Sequence, residues 1–307
     1  MSDFVIVNEV GPRDGLQSQG KTLTVDERLQ LIEALLSSGI RHIEAGSFVS
    51  PNAVPQMAGT AELFGRLPLR NEATYSALVP NVRGYELALA AGARSIAVVL
   101  SATETMNQRN INMSLEQTTA VCAQLMQRAR EDGIDARAYV AVAFECPFEG
   151  LTSPAVVEAL TLRMVEAGAG KVIVADTMGA ANPQSVKRVL ERLGGLDAAN
   201  TLSCHFHDTR GMALANVLAA LECGVREFDS SIGGLGGCPF SPGASGNLAT
   251  EDLVLMLHSM GLYTGIESDR LVAAVEQAQR LTGATLGGHS YRWLHRERNK
   301  RQEVTNG

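Results

Sequence analysis

The chain has 307 residues, of which 45% are hydrophobic and 19% are charged, and its formal net charge is −7. This composition is ordinary for a globular protein, and a chain of this length can bury a large core without disulfides. Because the only basic cluster is the C-terminal run at residues 296–301, nucleic acid is an unexpected partner.

Short apolar runs rich in Val and Ile alternate along the chain with longer segments of helical spacing. The predicted strands cover residues 4–10, 41–44, 72–78, 95–100, 138–143, 171–175, 201–206 and 227–230. The predicted helices cover residues 25–38, 54–67, 82–91, 115–132, 154–167, 183–193, 212–222 and 248–260. Gly39, Gly92 and Gly168 are among the glycines that follow helical stretches, where a residue of positive φ ends a helix.

Eight strand–helix units match the length of a (β/α)8 TIM barrel, which is typically ~250 residues. A doubly wound open sheet is the alternative, but it usually carries G-x-G-x-x-G after its first strand, where this sequence has Gly-Pro-Arg-Asp-Gly. We therefore predict an α/β fold, with a (β/α)8 barrel over residues 1–265. Residues 266–307 are predicted to form a short C-terminal helical cap and a polar tail that frays after about Arg298.

Chemically reactive side chains follow five of the eight predicted strands. In a (β/α)8 barrel the carboxyl ends of all strands meet at one mouth, where catalysis takes place. Side chains with only structural roles would be scattered over both ends of the barrel. The sequence therefore predicts a functional site built from Arg13, Asp14, Glu44, Asp176, His205, His207, Cys238 and Asn247.

His205 and His207 lie two residues apart on a strand, so their side chains point the same way while Phe206 faces the helices. An isolated pair of this kind is more often a pair of hydrogen-bonded barrel residues than a metal site. Asp14 and Asn247 converge on the same mouth, however, so we predict metal binding. The set of nitrogen and oxygen ligands suits Mg²⁺ or Mn²⁺, although two imidazoles also admit Zn²⁺ or Co²⁺.

Cys238 lies in a glycine-rich loop, residues 233–239, that can approach a ligand closely. Its thiol is a candidate proton donor, because a reference pKa of ~8.5 keeps it mostly protonated at neutral pH. The alternative is a buried small residue, which is the commoner role of a free cysteine. The four other cysteines are expected in the core or in helices.

Three charged residues at the mouth have roles that the residue types leave open. Arg13 either stabilises negative charge on a bound carbonyl or forms a salt bridge across the mouth. Glu44 and Asp176 either orient the metal ligands, carry protons or pair with Arg13.

Five cysteines, with no C-x-x-C pair, indicate free thiols in a reducing compartment. The N-terminal residues show no secretory or mitochondrial leader, and no apolar run reaches the roughly 18–20 residues of a membrane span. We therefore expect a cytoplasmic protein without a membrane partner.

Several segments of the sequence closely resemble 3-hydroxy-3-methylglutaryl-CoA (HMG-CoA) lyases, members of the DRE-TIM metallolyase superfamily. These segments are residues 8–17 (NEVGPRDGLQ), 47–51 (SFVSP), 205–209 (HFHDT) and 229–252, which include SIGGLGGCP. The resemblance covers about residues 7–265, and the cysteine-bearing loop is its most specific part. The other motifs are shared with a wider group of acyl-CoA synthases, aldolases and carboxyltransferases.

The resemblance implies cleavage of HMG-CoA to acetyl-CoA and acetoacetate, the chemistry of leucine degradation, by a homodimer that binds an acyl-CoA. It implies that Mg²⁺ or Mn²⁺ is held by Asp14, His205, His207 and Asn247. Arg13 would bind the thioester carbonyl and stabilise the enolate, which Cys238 would protonate. Glu44 and Asp176 would assist proton removal from the 3-hydroxyl, and the substrate would contact Arg13, Ser47 and Arg210.

Two positions depart from the family pattern. Arg210 stands where animal enzymes have tyrosine, and Ile173 stands where a serine that contacts substrate is expected. A lyase for a related thioester, citramalyl-CoA or methylmalyl-CoA, is therefore an alternative. Asn110 and Arg109 are candidate contacts for CoA.

Two further alternatives belong to other functional classes. One is a Claisen-type synthase, and the Gly-Gly-Cys-Pro loop argues against it because condensation needs no such proton donor. The other is a barrel without catalytic activity, against which the intact ligand and acid positions argue.

Overall fold

Eight parallel strands close into a barrel in the computed structural model, which describes residues 3–69, 72–237 and 246–306. Each strand pairs with its neighbours in sequence, and the first pairs with the last through Ile6 opposite Glu227. The strands are β1 (Ile6–Glu9), β2 (His42–Ser47), β3 (Thr74–Leu78), β4 (Ser95–Ser101), β5 (Asp135–Ala141), β6 (Lys171–Asp176), β7 (Leu202–Phe206) and β8 (Glu227–Ser230). The predicted (β/α)8 barrel is confirmed. Cys238 lies outside the described residues.

The described helices surround the barrel. They are α1 (Val25–Ser37), α2 (Thr60–Arg66), α3 (Val82–Ala90), α4 (Glu104–Ile111), α5 (Leu115–Glu131), α6 (Pro154–Ala167), α7 (Pro183–Arg192), α8 (Ala198–Thr201), α9 (Ala213–Glu222), α10 (Thr250–Ser259), α11 (Ser268–Thr282) and α12 (Tyr291–Asn306). Short helical turns cover Gly11–Gly15, Pro55–Met57 and Ile232–Gly234, and a small hairpin pairs Glu145–Cys146 with Gly150–Leu151.

Local sequence accounts for where the helices begin and end. Thr24 and Ser114 begin α1 and α5 with capping boxes, in which the side chain and the third helical residue satisfy each other's backbone amides. Gly168 ends α6 at φ 108°. The helix predicted over residues 54–67 is divided, because Gly59 at φ 73° separates the turn Pro55–Met57 from α2.

The apolar core has two layers. Inside the barrel, Tyr139 and Ile173 pack with Ala97, Ala175 and the partly buried Val99. The larger layer lies between the strands and the helices, and it includes Phe206, whose ring centroid is 6.4 Å from that of Phe144. Phe206 thus faces away from the barrel axis, as the strand alternation predicted.

The C-terminal segment continues the helical layer. Helix α11 packs against α1 and α10, and α12 packs against α11. The expectation that the tail frays after Arg298 is wrong, because α12 runs to Asn306 and the buried Arg298 side chain pairs with Glu276. A domain boundary at residue 265 stays a prediction. None of the described helices is long and apolar enough to cross a membrane.

A buried charge cluster lies at the amino ends of the strands, opposite the mouth. Glu227 begins β8, with its Oε1 2.5 Å from Nη1 of Arg137 and its Oε2 3.1 Å from Nζ of Lys171. Removing one partner of a buried pair leaves the other charge without compensation. Loss of one member of this cluster would therefore destabilise the barrel at the end away from the mouth.

We expect Glu227→Ala to lower the free energy of unfolding by about 3–5 kcal/mol, because the buried Arg137 and the partly buried Lys171 would both lose this counter-charge. Urea denaturation followed by circular dichroism measures the change. Glu116→Ala, which removes an exposed pair with Arg163, is the control and should have little effect. A loss below about 1 kcal/mol in Glu227→Ala would contradict the assignment.

Candidate active site

The turn after β1 places two charged side chains side by side at the mouth. Residues Gly11–Gly15 form a single π-helical turn, in which the Val10 carbonyl accepts hydrogen bonds from the amides of Arg13 and Asp14 at 3.1 and 2.7 Å. A Cβ on Gly11 would lie 2.5 Å from Oε1 of the buried Glu9, so any larger residue would have to displace that carboxylate. The turn brings Arg13 Nη1 to 2.5 Å from Asp14 Oδ1.

The Arg13 guanidinium also binds the end of β2. Its Nε and Nη2 lie 2.7 and 2.6 Å from Oε2 of Glu44, and both side chains are buried. Burial raises the pKa of Glu44 to about 7, against the opposing charge of Arg13. Burial disfavours the charge on Arg13, but the carboxylates of Glu44 and Asp14 outweigh it and raise the Arg13 pKa. Arg13 is therefore a fixed cation at the mouth.

The side chains predicted to bind metal meet beside Arg13. One ligand atom from each of Asp14, His205 and His207 lies within 4.8 Å of the others. The imidazole centroids are 5.1 Å apart. Asn247 joins them, because its Nδ2 donates to Asp14 Oδ2 at 2.8 Å and its backbone bridges to His207.

Two buried atoms in this cluster fit a divalent metal. His207 Nδ1 and Asn247 Oδ1 have no hydrogen-bond partner among the described residues, although buried polar atoms normally have one. Burial opposes the charge on Asp14, but Arg13, His205 and His207 lower its pKa to about 2. Burial and the charge of His205 lower the pKa of His207 to about 4. At neutral pH the carboxylate is ionised and this imidazole neutral, as metal ligands require.

Asp229 on β8 orients His205, and the sequence analysis missed it. Its Oδ2 lies 3.0 Å from Nδ1 of His205 and accepts from the Tyr139 hydroxyl at 2.6 Å, while its Oδ1 accepts from Asn8 Nδ2 at 2.8 Å. A carboxylate on one imidazole nitrogen turns the other nitrogen toward a metal. The signal available in the sequence was an acidic residue inside a predicted strand, where charged residues are rare. In the structure Asp229 is only 1% exposed.

A cavity of about 750 Å³ opens at this cluster. Polar side chains on one side include Arg13, Gln17 and Ser47, and the wall formed by β4, α4 and α5 is mostly apolar. Asn110 lines the cavity, whereas Arg109 stacks on Phe148 with its guanidinium carbon 5.1 Å from the ring centroid. The volume lies within the range of small-molecule sites.

Comparisons with known proteins agree with this geometry. A family model described as HMGL-like matches residues 5–277. The hydroxymethylglutaryl-CoA lyase of Pseudomonas mevalonii is 46% identical over 283 residues, 92% of this chain and 93% of that protein. The chain belongs to the HMGL-like family. The mitochondrial hydroxymethylglutaryl-CoA lyase of Bos taurus is 41% identical over 88% of this chain and 83% of its own length.

Solved structures of HMGL-like enzymes superpose closely. The hydroxymethylglutaryl-CoA lyase of Pseudomonas aeruginosa has a TM-score of 0.93 at 37% identity, covering 97% of this chain and 99% of that one. An HMG-CoA lyase of Acinetobacter baumannii, solved with coenzyme A and 3-methylmalate, has a TM-score of 0.90 at 39% identity, with 95% of each chain covered. The predicted family, fold and enzyme class, a carbon–carbon lyase, are confirmed.

Asp176 lies at the end of β6 but faces the following turn of this HMGL-like barrel. Its two carboxylate oxygens accept from the backbone amides of Ala180 and Ala181 at 2.9 and 3.0 Å. Burial raises its pKa to about 6 against those hydrogen bonds. Its neighbours Ala175 and Thr177, rather than Asp176 itself, line the cavity. The arrangement ties this carboxyl to the shape of the turn.

The sequence analysis linked Ser47, Ile173 and Arg210 to the identity of the substrate. These residues lie in different surroundings. Ser47 lines the cavity. Ile173 is fully buried inside the barrel beneath the cavity floor formed by Tyr139 and Ala175. Arg210 pairs with Glu145 at 2.9 Å on the exposed rim, outside the cavity lining. The substrate contact predicted for Arg210 stays a prediction.

We expect Asp229→Asn to weaken binding of Mn²⁺ about 10–100-fold, because His205 would lose the carboxylate that orients its ring. Isothermal titration calorimetry of the metal-free protein measures the affinity. Asp135→Asn, an exposed acid at the opposite end of the barrel, is the control and should bind as the wild type does. Equal affinity in Asp229→Asn would exclude the orienting role.

Proposed function

We propose that this chain cleaves HMG-CoA to acetyl-CoA and acetoacetate with Mg²⁺ or Mn²⁺. The observation that carries the proposal is the buried Arg13 cation next to the cluster of Asp14, His205 and His207 in one cavity. The names of the relatives support HMG-CoA as the substrate. The coenzyme A in the Acinetobacter baumannii structure supports an acyl-CoA.

The metal would be held by Asp14, His205, His207 and Asn247. When bound there, a divalent cation acts as a Lewis acid that makes the 3-alkoxide of the substrate accessible at neutral pH. Asp14 as an anion and His207 as a neutral imidazole are ready to coordinate at neutral pH. Against burial, Asp229 raises the pKa of His205, so this imidazole would release any proton it carries when the metal binds.

Proton transfer and charge stabilisation would fall to the residues around the metal. Loss of the 3-hydroxyl proton gives the 3-alkoxide, and conversion of this alkoxide to a ketone breaks the C2–C3 bond. The cleavage releases acetoacetate and leaves the enolate of acetyl-CoA. Glu44 would take that proton, since a pKa of about 7 suits a general base at neutral pH. Asp176 would assist only if its carboxylate left the two turn amides that it binds. Arg13 would stabilise the enolate oxygen, and the Cys238 thiol would protonate C2.

The cavity divides the substrate between two kinds of surface. Ser47 and Arg13 would contact the acyl group, and Asn110 lies where it would contact the CoA moiety. Arg210 would contact substrate only if the rim closes over the cavity. We further propose that the enzyme is a cytoplasmic homodimer, which fractionation and analytical ultracentrifugation test.

We expect purified protein with Mg²⁺ or Mn²⁺ to release acetyl-CoA and acetoacetate from HMG-CoA, and chelation by EDTA to abolish the release. Mass spectrometry of the products measures both. Citramalyl-CoA and methylmalyl-CoA are assayed in parallel, and faster cleavage of either would reassign the substrate. Release of free CoA from acetyl-CoA and 2-keto acids would favour the synthase.

We expect Cys238→Ala to retain metal and substrate binding but to lose turnover about 10²–10⁴-fold, the usual contribution of a proton donor. Steady-state kinetics and calorimetry with HMG-CoA measure the two quantities. Cys223→Ala, which alters a half-buried cysteine just after α9, is the control. Wild-type turnover in Cys238→Ala would rule out proton donation by this thiol.

A further inference from the structure

Strand β2 contains a β-bulge at Ala45. Glu44 pairs with Ser76 of β3, but the next paired residue is Gly46, which lies opposite Ala77, and Ser47 lies opposite Leu78. Ala45 is therefore an extra residue in β2 with no counterpart in β3. Bulges are rare between parallel strands and are enriched next to active sites, where they redirect side chains.

The bulge decides which side chains of β2 reach the mouth. In a regular strand, residues three apart point to opposite faces, so Glu44 and Ser47 would diverge. Here Glu44 binds Arg13 while Ser47 lines the cavity. Only the extra residue between them allows both side chains to serve the same site.

Because Ala45 has no counterpart in β3, its backbone carbonyl oxygen needs a hydrogen-bond donor from elsewhere. Arg28 of α1 fills that role, because its Nη2 donates to Ala45 O at 2.9 Å. Its Nη1 donates to Ala58 O at 3.1 Å, at the end of the turn Pro55–Met57. That turn and the residues before it, including Val54 and Gln56, line the cavity. One guanidinium therefore fixes the bulge and a second wall of the cavity.

Arg28 is an unusual core residue. Its side chain is fully buried, no acidic partner is present among the described residues, and its Nε has no hydrogen bond there. Burial alone lowers its pKa to about 10. Burying a cation without a counter-ion is costly, and an apolar side chain of similar length would pack there at less cost. Its two carbonyl partners are the physical reason for an arginine at this position.

Gly46 completes the arrangement. A Cβ on Gly46 would lie 2.7 Å from Nη2 of Arg28 and 2.9 Å from the Thr60 side chain. The guanidinium thus occupies the space that a side chain at this position would need. Arg28 and Gly46 are therefore matched to each other.

We infer that Arg28 is a positioning residue, which holds the β-bulge at Ala45 so that Ser47 faces the substrate cavity while Glu44 remains on Arg13. It touches neither metal ligands nor the cavity surface, and it acts through the backbone of β2. The kinetic part of this inference rests on the proposed function, whereas its structural part does not.

The main test is Arg28→Met, which keeps an unbranched side chain but removes both donors. Without them we expect β2 to return to a regular register, with Ala45 opposite Ala77 and Ser47 turned out of the cavity. For HMG-CoA cleavage we expect kcat/KM per folded molecule to fall about 100-fold, the cost of misplacing an active-site group by about 1 Å. Binding of Mn²⁺ should be unchanged, because its proposed ligands lie in the turn after β1, at the end of β7 and just before α10, and none of them is on β2.

Arg137→Met is the matched control, because it removes a buried arginine at the opposite end of the barrel. It should lower the free energy of unfolding while kcat/KM per folded molecule stays at the wild-type value. Arg28→Lys, which keeps the charge but loses the planar fork that donates to both carbonyls, should fall between Arg28→Met and the wild type.

Gly46→Ala tests the same positioning role of Arg28 if Arg28→Met does not fold. Its Cβ should displace the guanidinium and lower kcat/KM, and the double variant should lose less than the sum of the two single losses. Crystal structures that keep the bulge and Ser47 in the cavity in both variants would overturn the inference. Equal kcat/KM per folded molecule in Arg28→Met and Arg137→Met would also overturn it.

The outcomes separate this inference from the proposed function. Wild-type protein that cleaves no HMG-CoA would remove the proposed function, and the crystal structures of the variants would still decide the role of Arg28. Active wild type with an unchanged register in the variants would remove only the role of Arg28.

Discussion

The pairing of the Arg13 guanidinium with two carboxylates is the interaction on which the mouth of the barrel depends. Asp14 follows it in the same turn, and Glu44 reaches it from the neighbouring strand. Because the cation is fixed and buried, it keeps Asp14, a proposed metal ligand, ionised. It also lowers the cost of burying Glu44, whose pKa still rises to about 7. One charge therefore shifts the pKa values of the proposed metal ligand and of the proposed proton acceptor, and it lies where we propose that an enolate forms.

Stability and chemistry are placed at opposite ends of the same strands. β8 begins with Glu227, which pairs with Arg137 and Lys171, and two residues later it carries Asp229, which orients His205. In a (β/α)8 barrel the amino ends of the strands serve stability, and the carboxyl ends serve function. Glu227 and Asp229 are only two residues apart on β8, and they place charged side chains near both ends of the barrel interior. The layer of Tyr139, Ile173, Ala97 and Ala175 lies between them.

The sequence predicted the strands well because buried parallel strands are continuous apolar runs, and all eight appear in the barrel. It missed α4 (Glu104–Ile111), because this polar helix has little apolar periodicity. The sequence analysis correctly predicted that four side chains lie close together, those of Asp14, His205, His207 and Asn247. The carboxyl ends of the strands meet at one mouth regardless of loop conformation. Asp176 follows the same rule in sequence, yet its side chain faces the backbone of its own turn, which strand position alone does not reveal.

By itself the sequence determined the family, the barrel and which residues make up the candidate metal site, because periodicity and residue type are local properties of the chain. Only the tertiary structure decided how those side chains are oriented. Asp229 acts on His205 from the adjacent strand, and the bulge at Ala45 depends on a pairing register that one strand cannot define alone. Arg28 reaches Ala45 from a helix 17 residues earlier in the chain, so its role depends on packing of α1 against the barrel. Hydrogen bonds between distant segments carry no periodic signal, and these bonds orient the site.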